Sequence, residues 1–315
     1  MTKLPIKLGL QIPLFDFPGV EPDKLFDRVS DIARTAEESG FDSVWVMDHF
    51  EQIMGDPAAP ILEGYVVLAG IAARTERVNL GTLVTGVLYR NPAVLAKMVT
   101  SLDVLSAGRA VLGLGASWNE SEQEHYGIER ATVAERMDRM DEALEICRAM
   151  FTQETPSFKG AYYEIKGAHN VPRPVRPDGI PIMIGGGGEK RTLRAVARYA
   201  DACNIFGDAE TIQHKMKILD EHCAAEGRDP RDITRTALKT LVIATDTKAA
   251  EKKSAPLRAR FGERFDIIGM AGSPDEVRAQ ARDLREAGLD GLIVNIPDAY
   301  DLETVVLAGK TLSEL

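Results

Sequence analysis

The chain is poor in cysteine. Its 315 residues include three, Cys147, Cys203 and Cys223, too few and too scattered for a disulfide framework or a thiolate metal cluster. Each falls in or beside an element-like pattern, which predicts buried free thiols. Long apolar runs are also missing. None approaches the roughly 20 residues that span a bilayer, and residues 1–8 carry no apolar leader core. Both absences point to a cytoplasmic protein with no membrane partner. Positive charge is not in excess either. The net charge is −10, which argues against non-specific binding to nucleic acid or anionic lipid. Histidine is scarce, and His49, His125, His169, His214 and His222 form no i,i+2 or i,i+4 pair, so a hydrolytic metal site lacks its ligands. His125 does stand beside Glu122 and Glu124, but a solvated helix face accounts for that cluster equally well.

Several catalytic signatures are absent too. No Gly-x-Gly-x-x-Gly opens a helix after the first strand-like run, no Gly-Lys-Ser/Thr follows a glycine run, and no Gly-x-Ser-x-Gly occurs. Rossmann, Walker and nucleophile-elbow sites are therefore unsupported.

What is present is an alternation of strand-like and helix-like patterns from end to end. Apolar, β-branched runs at 6–12, 43–47, 78–84, 110–115, 181–184, 201–206, 236–245 and 291–296 read as strands. Helical patterns at 22–39, 63–75, 92–105, 132–151 and 190–199 fall between them. Further ones end near 226, begin near 248, and open at Ser273-Pro274-Asp275-Glu276, a cap with proline at the first helical position. Eight strand–helix units predict one (β/α)8 TIM barrel over residues 1–315. Stretches 50–62, 118–131 and 152–179 are too long for plain connections. They are expected to be insertions at the C-terminal face that shape an active site.

The densest signal is the run Gly185-Gly186-Gly187-Gly188, which ends the fifth strand and leads into a helix. Glycines let backbone come close to a ligand, and the helix start supplies unpaired N–H groups and a positive dipole end. Lys190 and Arg191 stand in the expected first turn, where the dipole disfavours cations. A bound phosphate removes that conflict; a flexible turn with two solvated cations is the plainer alternative.

Other chemistry should sit at strand C-terminal ends. Asp48 and His49 follow the second strand, and His49 can exchange a proton near neutral pH. The plainer alternative is that Asp48 caps the strand end and His49 fills space. Gly81 and Gly86 bracket an apolar stretch after the third strand, which suggests a bulge. Gly113, Gly115, Ser117, Trp118 and Asn119 follow the fourth, as a ligand approach or as a turn with Trp118 covering the core. Ser106-Ala107-Gly108-Arg109 precedes that strand and reads as a structural turn with Arg109 in an ion pair. Lys239 lies inside the seventh strand; it could form a Schiff base, but such a lysine more often points out towards the helices.

Taken in order, Val44-Trp45-Val46-Met47-Asp48-His49-Phe50, Leu80-Gly81-Thr82 with Arg90-Asn91-Pro92, Ser106-Ala107-Gly108-Arg109, the run from Gly113 to Glu120 with His125-Tyr126-Gly127, and the run from Gly185 to Thr192 with Ala197-Arg198-Tyr199-Ala200-Asp201 make the chain resemble the bacterial-luciferase-like flavin and deazaflavin oxidoreductases. Within them it is similar to the branch that uses coenzyme F420. The resemblance implies a barrel holding an isoalloxazine-like ring at its mouth, with His49 near the ring. It implies a non-proline cis peptide at Leu83–Val84, beside Thr85, forming a bulge behind one ring face. It puts the cofactor phosphate on Gly187, Gly188 and the following helix start, and Asn119 near ring or substrate, with Ser117 close by. It also implies hydride transfer at the deazaflavin C5 to or from a small organic substrate, and a homodimer. One departure stands out: Ala116 occupies the place of a glutamate carried by the sugar-phosphate dehydrogenases of this family. Three alternatives stay open, namely an FMN-dependent monooxygenase of the same fold, a non-catalytic cofactor-binding protein, and a phosphate-binding lyase using Lys239.

Overall fold

Eight parallel strands close on themselves in chain order. They are β1 (Leu8–Ile12), β2 (Ser43–Val46), β3 (Asn79–Thr82), β4 (Ala110–Gly115), β5 (Ile182–Gly185), β6 (Ala202–Ile205), β7 (Thr234–Ile243) and β8 (Gly291–Asn295). Each pairs with the next, and β8 returns to β1 with Leu292 opposite Leu8. Helices α1 (Leu25–Glu38), α2 (Gly64–Ala72) and α3 (Pro92–Leu105) follow the first three strands. The short α4 (Glu120–His125) and long α5 (Val133–Thr152) follow β4, and α6 (Thr192–Tyr199) and α7 (Ala209–Ala225) follow β5 and β6. Helices α8 (Thr247–Phe261), α9 (Arg264–Ile268) and α10 (Pro274–Glu286) lie between β7 and β8, and α11 (Leu302–Leu312) comes last. This is the expected (β/α)8 barrel, seen in a computed structural model that describes residue 4 and residues 6–313. Part of the stretch read for a leader, residues 1–3 and 5, lies outside the described residues.

Strand alternation sorts the side chains into two cores. Leu10, Val44, Leu112 and Ile184 face outward and pack under helix residues such as Ile32, Leu68, Leu95 and Leu144. Trp45, Val111, Met183, Leu238 and Ile293 face inward and plug the barrel. The Trp45 indole is fully buried. It fits because Gly9 and Gly81 on the flanking strands have no side chain: a Cβ there would come within 2.8 Å and 2.7 Å of the ring.

The boundaries differ from expectation where tertiary contacts decide them. β3 stops at Thr82, and a two-residue strand, Thr85–Gly86, resumes pairing with β4 after a break at Leu83 and Val84. α6 starts at Thr192 rather than 190. An extra strand, Gly269–Gly272, pairs with the end of β7; like α9 and α11 it was not anticipated. Ser273 does cap α10, in a capping box with Glu276. All three cysteines are free and buried, and burial pushes the Cys147 and Cys203 thiols up to about 12.

The third insertion is in the wrong place for an active-site wall. Residues 152–179 connect a helix end to a strand start, so they cross the N-terminal face. Asn170 donates to Thr100 Oγ1 and the Met150 carbonyl, at 2.9 Å and 3.0 Å, and Val175 N–H donates to Asp103 at 2.8 Å. Arg176 reaches the Gly108 carbonyl at 2.5 Å and Asn79, the first residue of β3, at 2.9 Å. The expectation that all three insertions line the mouth is thus corrected; 50–62 and 118–131 remain.

Arg109 belongs to the same underside. It serves a structural turn, as expected, but its donors go to oxygen atoms of the chain rather than to a carboxylate. It binds the carbonyls of Ala72, Thr75, Val78 and Ser106 and the Thr75 hydroxyl, at 2.8–3.0 Å. A lysine keeps the charge but cannot fork to five acceptors, and each carbonyl left dry costs on the order of 1 kcal/mol. Arg109→Lys should therefore lower unfolding free energy by about 2–4 kcal/mol in denaturant titration; a loss under about 0.5 kcal/mol would refute this role.

Candidate active site at the barrel mouth

The break in β3 builds one wall of the mouth. The Leu83–Val84 peptide is cis, at the position the resemblance implied. Val84 leans into a hollow between β4 and β5. A Cβ on Gly115 would lie 2.6 Å from Val84 Cγ2, and one on Gly185 would lie 2.8 Å from Val84 Cγ1. Gly113 makes room for the backbone itself, since its Cβ would fall 1.9 Å from the Thr82 carbonyl oxygen. From inside the barrel Gln11 Nε2 donates to the Leu83 carbonyl at 3.1 Å. From outside, a hydroxyl chain runs from Tyr65 to Thr85 (2.6 Å) to Thr82 (2.7 Å) and on to the Gly113 carbonyl (3.3 Å). Thr85 thus anchors the bulge and is fully buried. Ser117, with φ of 57°, accepts from Leu88 N–H at 3.2 Å and holds the turn beside it.

A web of buried charge lies beside the bulge. Asp48, at the end of β2, is 1% exposed and takes a bidentate pair from Arg90 at 2.7 Å and 2.9 Å. Arg90 also binds Glu63, the N-cap of α2, and lies 5.0 Å above the Tyr65 ring. Asp48 therefore faces an arginine. His49 points the other way. Its Nδ1 sits 2.8 Å from Glu122 Oε2, and Tyr89 OH donates to the same oxygen. The other oxygen, Oε1, accepts from Phe50 N–H at 2.5 Å and Glu51 N–H at 3.1 Å. Trp118 stands edge-on to His49, with centroids 5.6 Å apart, and is largely exposed.

Glu122 overturns an expectation. It is fully buried on α4, not part of a solvated face, because it accepts from Phe50 N–H, Glu51 N–H and Tyr89 OH and lies against His49 Nδ1. Burial alone pushes its carboxyl up; the hydrogen bonds from His49, Tyr89 and Phe50 outweigh this and hold it below the ordinary value. His125, its sequence neighbour, lies outside and pairs with Glu51 at 2.9 Å. The two mouth insertions are thereby stitched together, with Tyr126 OH donating to the Phe50 carbonyl at 3.2 Å. Asn119 caps α4, its side chain accepting from Glu122 N–H at 3.4 Å.

The glycine run divides its work. Gly185 serves the Val84 hollow. Gly186 has φ of 120°, which only glycine adopts readily, and turns the chain. Among the described residues the N–H groups of Gly187 and Gly188 make no hydrogen bond to protein, and they precede the eight-residue α6. Unpaired N–H groups just ahead of a helix suit a phosphate, although the N-cap of α6 is Arg191, three residues beyond Gly188. Lys190 is exposed. Arg191 meets α5, pairing with Asp138 at 2.6 Å and Asp141 at 3.2 Å, so its conflict with the helix dipole is relieved inside the protein. A cation the sequence did not suggest lies closer to the cradle: Lys215 of α7 donates to the Gly187 carbonyl at 2.8 Å and pairs with Glu189 at 3.2 Å. Lys239 has the strand parity of Ala237 and Leu241, which belong to the outer core. Its ammonium binds the carbonyls of Gly207 and Ile267, both at 2.6 Å, so it does not face the mouth. Desolvation lowers it to about 8.

Comparison with known proteins supplies a context for this geometry. A family model described as luciferase-like monooxygenase matches residues 7–294. An F420-dependent glucose-6-phosphate dehydrogenase of Kineococcus radiotolerans is 31% identical, covering 93% of this chain and 92% of that protein. Among solved structures, monooxygenase RslO1 of Streptomyces bottropensis superposes with a TM-score of 0.81 at 23% identity, covering 98% of both chains. An F420-dependent secondary alcohol dehydrogenase in complex with an F420–acetone adduct gives 0.79 at 21%, over 97% of this chain and 99% of that one. At such identities the structures attest the fold.

The hollow around Val84 generates a direct test. Gly115→Ala should destabilise by about 1–3 kcal/mol through overpacking. Adding Val84→Ala should recover part of that loss, giving a coupling energy of at least about 1 kcal/mol in a double-mutant cycle. Additive effects would show that the two residues do not compete for space.

Proposed function

The chain belongs to the luciferase-like monooxygenase family, and from that membership and the geometry of its mouth we propose that it is an F420-dependent oxidoreductase acting on a small organic substrate. The observation that carries the proposal is the joining of three parts at one end of the barrel. They are a wall at Leu83 and Val84, unpaired N–H groups at Gly187 and Gly188, and the ionisable ring of His49. Gly185 links the first two, because it both receives Val84 and opens the glycine run.

F420, when bound, supplies or accepts hydride at the C5 carbon of its central ring. The chain's residues do the rest. Gly187 and Gly188 hold the phosphate through backbone N–H groups, with the α6 dipole behind them. Val84 and Leu83 give the ring a fixed apolar backing, so that orientation is settled before reaction. His49 gives or takes the proton that accompanies hydride transfer. Trp118, exposed beside His49, offers an apolar face for the substrate. Asn119 caps α4 through its side-chain oxygen, and its amide N–H groups would serve a substrate polar group.

Substrate preference follows from charge. Beside His49 stands Glu122, while Arg90 is committed to Asp48 and Glu63. Ala116 supplies no carboxylic acid. These features disfavour a sugar phosphate and favour a neutral substrate, such as an alcohol, carbonyl compound or activated alkene. A homodimer is proposed as well, supported by exposed Val66 on α2 and Val94 and Leu105 on α3.

A fluorescence titration tests the cofactor. F420 should change its emission on mixing with the protein and FMN should bind at least about tenfold more weakly, a difference of roughly 1.4 kcal/mol. Tight FMN binding with no response from F420 would replace this reading with the flavin monooxygenase one. His49→Ala should leave F420 affinity within about threefold and lower kcat by 10²–10⁴, the usual span of lost acid–base catalysis, roughly. Unchanged turnover would remove His49 from the mechanism and leave a binding protein.

A further inference from the structure

Glu122 is the carboxylate that touches His49, and nothing in the sequence pattern marked it for that place. We infer that Glu122 is a positioning residue for proton transfer: it holds His49 in the tautomer with hydrogen on Nδ1 and leaves Nε2 to exchange the proton with substrate. The inference rests on His49 being the residue that moves the proton.

The argument starts from donor and acceptor counts. An ionised carboxylate only accepts. Glu122 Oε1 already receives Phe50 N–H and Glu51 N–H, and Oε2 receives Tyr89 OH. With three donors fixed on it, the carboxylate has one role left towards His49 Nδ1 at 2.8 Å, to accept a fourth. The ring hydrogen therefore sits on Nδ1. Nε2, on the far side of the ring, makes no hydrogen bond to protein among the described residues, and the His49 side chain is 11% exposed. The lone pair of the base is thus turned away from the protein's own donors.

The surroundings make Glu122 the partner that matters. Asp48 precedes His49 in the chain, but its oxygens are taken by Arg90, which also holds Glu63. Glu51 pairs with His125 at the rim. Tyr89 faces the ring at 6.4 Å and Trp118 at 5.6 Å, and neither brings charge. When Nε2 gains a proton, the imidazolium is balanced by Glu122 across the existing hydrogen bond. A carboxylate that orients an imidazole and balances its protonated form is the general arrangement of base-orienting pairs. Four donors on one buried carboxylate also keep it from turning away as the ring changes charge.

The tautomer can be read without any cofactor. In full-length protein labelled with ¹⁵N-histidine, long-range ¹H–¹⁵N spectra above neutral pH should show His49 Nδ1 as the protonated nitrogen and Nε2 as the unprotonated one. A wild-type spectrum with the hydrogen on Nε2 would overturn the inference at once, whether or not the variants fold. Glu122→Gln keeps the shape but lets the amide donate as well as accept, so His49 should lose its single tautomer. In turnover, the same variant should lower kcat by about tenfold or more, keep KM for F420 within about threefold, and move the His49 limb of the kcat–pH profile to lower pH. An unchanged histidine spectrum and an unmoved limb would reduce Glu122 to packing. If F420 is not turned over at all, the functional proposal fails while the spectrum still decides the role of Glu122.

Discussion

Val84 fills a hollow that exists only because Gly115 and Gly185 have no side chains. The mouth depends on this contact. It carries the end of β3 across the barrel opening, where Gln11 from within and the Tyr65–Thr85–Thr82 hydroxyl chain from without hold it. It also ties three strands together at the height where chemistry takes place. Gly185 is shared, so the wall and the glycine cradle are one construction: where Val84 sits determines where the turn at Gly186 begins, and the turn aims the N–H groups of Gly187 and Gly188.

The second half of the mouth is held by charge instead of shape. Asp48 and His49 are neighbours in sequence with opposite commitments. Asp48 is locked to Arg90, which fastens the loop to α2 through Glu63, and His49 is locked to Glu122 on α4. Each buried carboxylate meets donors, the condition under which buried charge is tolerated: burial pushes the Asp48 carboxyl up against the pull of Arg90, whereas its hydrogen bonds hold Glu122 down. Rigid placement of an acid–base residue against a fixed apolar wall is what hydride transfer demands of a protein, since the cofactor brings the redox chemistry itself.

Much of this was legible in the chain. Strand and helix alternation led to the barrel because each strand is buried on both faces and reads as an apolar run. The glycine run marked a sharp turn at Gly186 and two unpaired N–H groups ahead of α6, because glycine allows the backbone conformation that the turn needs. Three things were hidden for physical reasons. Glu122 sits in a run of polar residues, Glu120-Ser121-Glu122-Gln123-Glu124, and only tertiary packing separates the buried acid from its solvated neighbours. Arg191 looked like a phosphate ligand because its partners, Asp138 and Asp141, lie some fifty residues away. The stretch 152–179 looked like an active-site insertion because length carries no information about which face of a barrel a loop crosses; its place after a helix did, and was the signal to follow.

The central claim is that one construction, from Val84 through Gly185 to Gly188, seats the cofactor. A crystal structure of the protein with F420 tests it most directly. The account predicts the deazaflavin ring resting against Leu83 and Val84, with phosphate oxygens within hydrogen-bond distance of the Gly187 and Gly188 N–H groups. A phosphate bound elsewhere, or a ring on the far side of the mouth from Val84, would contradict it.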